Sequence, residues 1–416
     1  MGVNTGTWKT SQVRDLASYI TVGFVGSMSS VFVNTGVPLL RGQNILPYSL
    51  DMTNLKYISK ETHRKWKKSA LQPGDVAIVR VGYPGTACVI PGGLGDLNAA
   101  SLVIVRPNPE LLDSDYLCYV LNSPWGKAQI KGRLVGSAQQ VFNTHTAAEL
   151  EIPAPPLPTQ RKIAAILSAY DDLIENNLRR IKILEEMAQN LYREWFVKFR
   201  FPGHQHARFT DSALGPIPEG WEVKNLLSVA DVTYGFAFQS KRFNSDGNGL
   251  PVVRIRDVLA GTSDTFSPEE AGKKYLVENG DILVGMDGDF HMGFWVGGQA
   301  YLVQRVARFR SKGEIGRYHL FLSLQEPIQY FDATITGTTV AHLGDKHIKT
   351  IEIKWPQTQL INQINNILEP MLAQILNLRI KNTTLRRTRD LLLPRLISGE
   401  VDVSELDIVV PEEAAA

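Results

Sequence analysis

The chain of 416 residues has only two cysteines, Cys88 and Cys118. With no metal-ligand spacing and no second pair, they exclude a disulfide framework and a zinc knuckle. No run of 18 apolar residues occurs, and the N-terminus lacks a charged leader followed by an apolar core. Neither a membrane span nor a secretory precursor is expected, which leaves the cytoplasm as the default location. Catalytic signatures are missing too: there is no Gly-x4-Gly-Lys-Ser/Thr phosphate loop, no Gly-x-Ser-x-Gly elbow and no His-Glu-x-x-His. Of eight scattered histidines, His204 and His206 share a polar linker without a nearby acid or cysteine, a poor ligand set, so no metal is expected. Glu352-Ile-Lys354 has the look of a nuclease metal site, but its counterpart Glu151-Ile-Pro153 has no lysine, and an edge strand is the expected reading.

What is present is an ordinary soluble composition, 44% hydrophobic and 21% charged, which rules out wholesale disorder and a pure coiled-coil rod. The length predicts at least two domains. Net charge is +2, unevenly spread: residues 1–150 carry 14 Lys/Arg against 9 Asp/Glu, and residues 201–355 carry 16 against 18. A basic knot of Lys60, Arg64, Lys65, Lys67 and Lys68 surrounds Trp66. Such a knot suits phosphate contact, although a solvated face has the same composition.

The chain repeats itself. At an offset of 213, Trp8 falls on Trp221, Pro38 on Pro251 and Arg41 on Arg254. At 206, Gly74-Asp75 meets Gly280-Asp281 and Gly82 meets Gly288. At 201 the match runs without gaps from Gly136 to Leu191, with eleven identities in 56 positions, among them Glu151/Glu352, Ile163/Ile364 and Leu167/Leu368. The order is globular domain, long helix, globular domain, long helix. Short apolar runs between Gly/Pro/Asn punctuation, such as Val76–Arg80, Leu102–Arg106 and Asp281–Val284, predict β-rich globular parts, with helices over Asp115–Leu121 and Glu314–Leu324. The expected boundaries are 1–152 and 201–355 for the globular domains, 153–200 and 356–400 for the helical segments, and 401–416 for a tail. The Pro-rich run Pro153–Pro158 ends the first half, and Thr159 is the expected helix cap.

Beyond it, Ile163, Leu167, Tyr170, Ile174, Asn177, Ile181, Leu184, Ala188, Leu191 and Trp195 recur in steps of four and three. The second copy repeats the phase from Ile364 through Leu368, Met371, Ile375, Leu378, Asn382, Leu385, Arg389 and Leu392 to Leu396. Such stripes predict a coiled coil of helices roughly 50–60 Å long. Antiparallel pairing with flush ends sets Ile163 against Leu396, Ala188 against Met371 and Asn177 against Asn382. The only two carboxamides in the seams then share a layer, whereas parallel pairing faces each with an apolar residue. The predicted fold class is therefore α+β: two β-rich domains and two long helices forming an antiparallel coiled coil, with an internal pseudo-two-fold repeat.

Several segments resemble the specificity (S) subunits of type I restriction-modification systems: Ile217-Pro-Glu-Gly-Trp-Glu-Val223, Tyr234-Gly-Phe-Ala-Phe-Gln-Ser-Lys-Arg-Phe243, Pro251–Val258, Pro155-Pro-Leu-Pro-Thr-Gln-Arg-Lys-Ile163 and Leu392-Leu-Pro-Arg-Leu-Ile-Ser-Gly-Glu400. The resemblance spans nearly the whole chain. It implies two target-recognition domains, each reading half of an asymmetric bipartite site in double-stranded DNA. It also implies helices that dock two methyltransferase (modification) subunits for adenine methylation, joined by motor-nuclease (restriction) subunits for cleavage. The chain itself would be non-catalytic and hold no cofactor, leaving S-adenosylmethionine, ATP and Mg to the partners.

Base readout needs Arg, Lys, Asn or Gln on exposed loops, and phosphate contact adds Ser and Thr. The candidates in the first domain are Arg41, Gln43, Asn44, Lys65, Lys67, Lys68, Arg80 and Tyr83. Those in the second are Gln239, Ser240, Lys241, Arg242, Arg254, Arg256, Gln304 and Arg305. Ser137 and Thr338, which follow matching glycines, are candidates for phosphate. Gly74-Asp75 and Gly280-Asp281 are expected to form turns, and Trp8 and Trp221 to pack in cores. Two other readings stay open: a related specificity subunit of another restriction or methyltransferase architecture, and a coiled-coil scaffold whose β domains bind protein, which the near-neutral charge permits.

Overall fold

The computed structural model describes residues 8–134, 141–335 and 341–410. The chain forms two compact units, Met1–Ile174 with Thr384–Ala416, and Glu175–Thr383. Each contains part of the helix Leu157–Tyr192 and part of the helix Thr358–Ser398. No helix among the described residues is long and apolar enough to cross a membrane.

The duplication read from the sequence is a duplication of topology. In the first unit one sheet has the order Ala87–Val89, Val76–Val79, Leu102–Pro107, Ala17–Val22. In the second the order is Met292–Phe294, Ile282–Gly285, Val306–Ser311, Ala230–Tyr234. Each unit also has a second sheet in which two strands run parallel: Val37–Leu40 beside Leu97–Ala99, and Leu250–Val253 beside Ala300–Leu302. A two-stranded ribbon joins the beginning and end of each copy, Thr10–Gln12 with Glu151–Pro153 and Glu222–Asn225 with Glu352–Trp355. The Glu352-Ile-Lys354 sequence lies in that ribbon, where the Lys354 ammonium donates to the Phe196 carbonyl at 3.3 Å. No group of three metal-ligating side chains converges among the described residues.

The repeated Gly-Asp pairs anchor these sheets. Gly74 and Gly280 take left-handed backbone, φ +83° and +89°, which a side chain resists. The aspartate that follows accepts the backbone N–H of Gln72 or Glu278 at 2.8 Å. It also takes a two-pronged ion pair, from Arg106 at 2.7 and 2.8 Å in the first unit and from Arg310 at 2.6 and 2.7 Å in the second. Their hydrogen bonds to these carboxylates raise the pKa of both arginines. With Asp75 wholly buried, removing Arg106 would strand a carboxylate inside the protein.

Every position of the two heptad stripes is buried or half-buried. In the first unit Ile163 and Leu167 share a core with Leu393, Leu396 and Ile397. Arg389, a charged seam residue, is satisfied by Asp171, which also accepts the Tyr119 hydroxyl at 2.6 Å, so the seam is tied to the helix Ser114–Asn122. In the second unit Ala188 and Met371 share a core, and the Asn177 amide donates to the Asn382 carbonyl oxygen at 2.8 Å. Antiparallel pairing is thus observed in the register that the two amides predict.

The start of the first long helix differs from expectation. Thr159 is buried and helical, because the helix begins at Leu157 and tolerates Pro158 in its first turn, where no N–H is needed. Gln160 fixes that end instead. Its amide donates to the Leu111 and Pro155 carbonyls at 3.0 and 2.9 Å and accepts the Asp113 N–H at 3.0 Å. The predicted helix at Glu314–Leu324 begins and ends later, at Arg317–Thr334, and carries Pro327 within it.

Two measurements check this packing. A double-mutant cycle with Asn177→Leu and Asn382→Leu should show a coupling of about 1 kcal/mol in chemical denaturation; additive losses would mean that the pair does not set the register. His319 is fully buried against Phe196 and Tyr192, with both ring nitrogens lacking a partner among the described residues. Burial pushes its pKa from 6.5 down to about 3. The unfolded chain takes up a proton below pH 6.5 and the folded chain does not. Stability is therefore full above that pH and falls between 6.5 and 3 by up to about 1.4 kcal/mol per pH unit. His319→Phe should flatten this part of the melting-temperature profile.

Candidate nucleic-acid interface

The parallel strand pair decides which loops meet. In the second unit, Leu250–Val253 and Ala300–Leu302 leave their sheet at the same end, and the Val303 N–H donates to the Val253 carbonyl at 3.2 Å. That places Arg254 beside Val303. The same edge receives the chain at Phe236, whose N–H donates to Leu302 and whose carbonyl accepts from Gln304, both at 2.8 Å. Ile255 packs at Gly285, the end of the neighbouring strand. Arg254, Arg256, Gln304, Arg305 and the turn Ser240–Arg242 are therefore gathered along one loop edge.

Their freedom differs. Gln239, Ser240, Lys241, Arg242 and Gln304 are exposed. Arg254 is half-buried with its guanidinium 5.8 Å from the Phe243 ring centroid. Arg256 is tethered, donating to the Thr265 hydroxyl at 2.9 Å. Arg305 has left-handed backbone, φ +75°, in the turn between Ala300–Leu302 and Val306–Ser311. Its Nε stands 3.4 Å from the Asp287 carboxylate and its Nη1 3.3 Å from His342 Nδ1.

The first unit builds the same edge. The Ala100 N–H donates to the Leu40 carbonyl at 2.8 Å, so Arg41 lies alongside, and Phe24 bridges to Ala100. Trp66 stacks on Phe24 with ring centroids 3.7 Å apart, which seats the basic knot against this edge. Lys65 pairs with Glu61 at 2.8 Å, while Lys67 and Lys68 are exposed on a single helical turn. Gln43 is exposed and Tyr83 is 84% exposed. Arg80 is half-buried and donates to the Phe142 carbonyl at 3.3 Å. The Arg41 guanidinium donates to the Asn54 carbonyl at 3.0 Å. Asn44 is buried, accepting the Arg41 N–H at 3.1 Å and donating to the Asp51 carbonyl at 3.0 Å; its amide shapes the loop and is not offered to solvent. Asp257 takes the same place in the second unit, accepting the Arg254 N–H at 2.9 Å. Ser137 and Thr338 lie outside the described residues.

The family of type I restriction modification DNA specificity domains matches residues 50–186 and 218–385, once in each copy. The chain belongs to this family. Among its relatives, the type I restriction enzyme MjaIX specificity subunit of Methanocaldococcus jannaschii is 27% identical over 312 residues, covering 70% of each chain. The HindI specificity subunit of Haemophilus influenzae is 23% identical over 469 residues, covering 95% of this chain and 99% of its own. The crystal structure of a type I S subunit from M. genitalium shares the fold, with a TM-score of 0.59 at 15% identity over 95% of this chain and 97% of that one.

Within this specificity subunit the structure adds residues that the sequence reading passed over. Lys273 and Lys274 are exposed on a one-turn helix, Lys273–Tyr275, before the strand Leu276–Val277. Lys67 and Lys68 open the matching turn before Ala70–Leu71. Tyr275 lies 5.3 Å from Phe236, as Trp66 lies on Phe24, and Lys274 stands 4.8 Å from the Tyr275 centroid. The offset of 206 that aligns Gly74 with Gly280 also aligns the two lysine pairs, so the signal was in the sequence. If both pairs contact phosphate, Lys67→Ala with Lys68→Ala, or Lys273→Ala with Lys274→Ala, should each lower the slope of log affinity against log salt by about two and leave the preferred sequence unchanged. Filter-binding titrations from 50 to 200 mM salt, roughly the range over which such contacts respond, would read this out.

Proposed function

We propose that each unit reads one half of an asymmetric bipartite site in double-stranded DNA, and that the long helices set the unread gap between the halves. One observation carries the reading: a single chain builds the same loop edge twice, keeps Arg41/Arg254 and the two lysine pairs on it, and changes other side chains, such as Gln43 to Arg256 and Ser101 to Arg305. Helices of 36 and 41 residues are about 54 and 61 Å long at 1.5 Å per residue, comparable with about 16–18 base pairs at 3.4 Å each.

On this reading the chain supplies specificity and does no chemistry. Two methyltransferase subunits, using S-adenosylmethionine to methylate adenine, would dock on the helices, and ATP- and Mg-dependent motor-nuclease subunits would join for cleavage. Exposed Ile183 and Met187, one turn apart on the first long helix, are apolar surface that docking would cover.

A base-resolution methylation map of the host genome, with the chain intact and deleted, tests the proposal. Loss of adenine methylation at one bipartite motif on deletion is the expected result. An unchanged map, in cells where the methyltransferase subunits are present and active, would overturn it.

A further inference from the structure

The two loop edges are superposable in topology and opposite in chemistry at one place. In the second unit the turn into Val306–Ser311 carries Arg305; in the first, the turn into Leu102–Pro107 carries Ser101, and both residues have left-handed backbone, φ +75° and +54°. After the strands Ile282–Gly285 and Val76–Val79, the chain presents Asp287 in the second unit and Val81 in the first. The returning segment that hydrogen-bonds there, through Leu343 to Met286 at 2.8 Å and through Phe142 to Arg80 at 3.0 Å, presents His342 and Val141 respectively. Three equivalent positions thus hold Arg, Asp and His in one copy and Ser, Val and Val in the other.

In the second unit these three side chains touch. His342 Nδ1 is 2.6 Å from one Asp287 oxygen, Arg305 Nε is 3.4 Å from the other, and Arg305 Nη1 is 3.3 Å from His342. The Arg305 side chain is nevertheless 53% exposed. A guanidinium held from behind by a carboxylate, with its remaining donors in solvent, has already lost the rotamer freedom that binding would otherwise cost. Its planar pair of N–H donors matches the O6 and N7 acceptors of guanine in the major groove.

We propose that Arg305 reads a guanine in the half-site of the second unit, with Asp287 and His342 as positioning residues, and that the first unit makes no such contact at its equivalent place. This rests on the DNA-reading function proposed above and names one base of the target.

The test is selection from a library of randomised duplex DNA by the full chain, purified with the subunits that accompany it. Arg305→Asn suits the left-handed backbone and removes the guanidinium. It should reduce discrimination at one guanine by about tenfold or more and leave all other positions intact. Asp287→Asn keeps the Arg305 charge and should blunt discrimination at that same position, more weakly. A surface ion pair with only a structural role would leave the selected motif unchanged in both variants, which would overturn the inference. So would uniform weakening with an intact motif, the mark of a phosphate contact. If the wild-type chain selects no motif at all, it is the DNA-reading function that fails.

Discussion

The fold depends on the antiparallel pairing of two long helices. Each compact unit closes its core on a piece of both: Ile163 and Leu167 meet Leu393 and Leu396 in one, and Ala188 meets Met371 in the other. A sheet with one apolar face needs such a partner layer to bury it, and here the layer comes from residues far apart in sequence. An apolar seam alone tolerates a slip of one heptad, since leucine meets leucine again. The Asn177–Asn382 hydrogen bond does not, because a slip of one heptad would part the two amides, setting Asn177 against Ile375 or Arg389 and Asn382 against Tyr170 or Leu184. Asp171 plays the corresponding part in the first unit, where it holds a seam arginine and the Tyr119 hydroxyl together.

A second constraint separates what the two copies must share from what they need not. The Asp75–Arg106 and Asp281–Arg310 pairs lock equivalent strands with nearly equal geometry. Losing the arginine of such a pair carries the penalty of a buried carboxylate without its counter-charge. The exposed edge a few residues away carries no such penalty: Ser101 and Arg305, or Val81 and Asp287, occupy the same places without altering the strand order.

Much of this was legible in the sequence because it is periodic. The heptad stripes follow from a period of 3.5 residues, the strands around Val76 and Ile282 from short apolar runs bounded by turn residues, and the offsets of the repeat fixed their order. The start of the first helix was not legible, since Pro158 suits a first turn as well as a stop signal, and the buried role of Gln160 depends on loops 47 and 49 residues away. The loop edge was half legible. Arg254, Gln304 and Lys241 could be picked as polar residues near strand ends, but Asn44 has the same local signature and is buried, because its partners at Asp51 and Thr53 belong to a loop that closes over it. Nothing local marks Asp287 or His342; they meet only because the returning segment pairs with the end of a strand some 55 residues earlier.

This division explains why a subunit whose task is discrimination is built as a repeat. Stability is carried by the seam and by the buried Asp–Arg pairs, both of which punish substitution. Discrimination, on the proposed reading, is carried by side chains such as Arg305 and Gln304, which are exposed and belong to neither core. A change of target sequence is then a change at the loop edge, leaving the cores intact. The left-handed turn residue is the sharpest case: its backbone is set by the strand connection on either side, so the position persists while the group it displays can pass from a hydroxyl to a guanidinium.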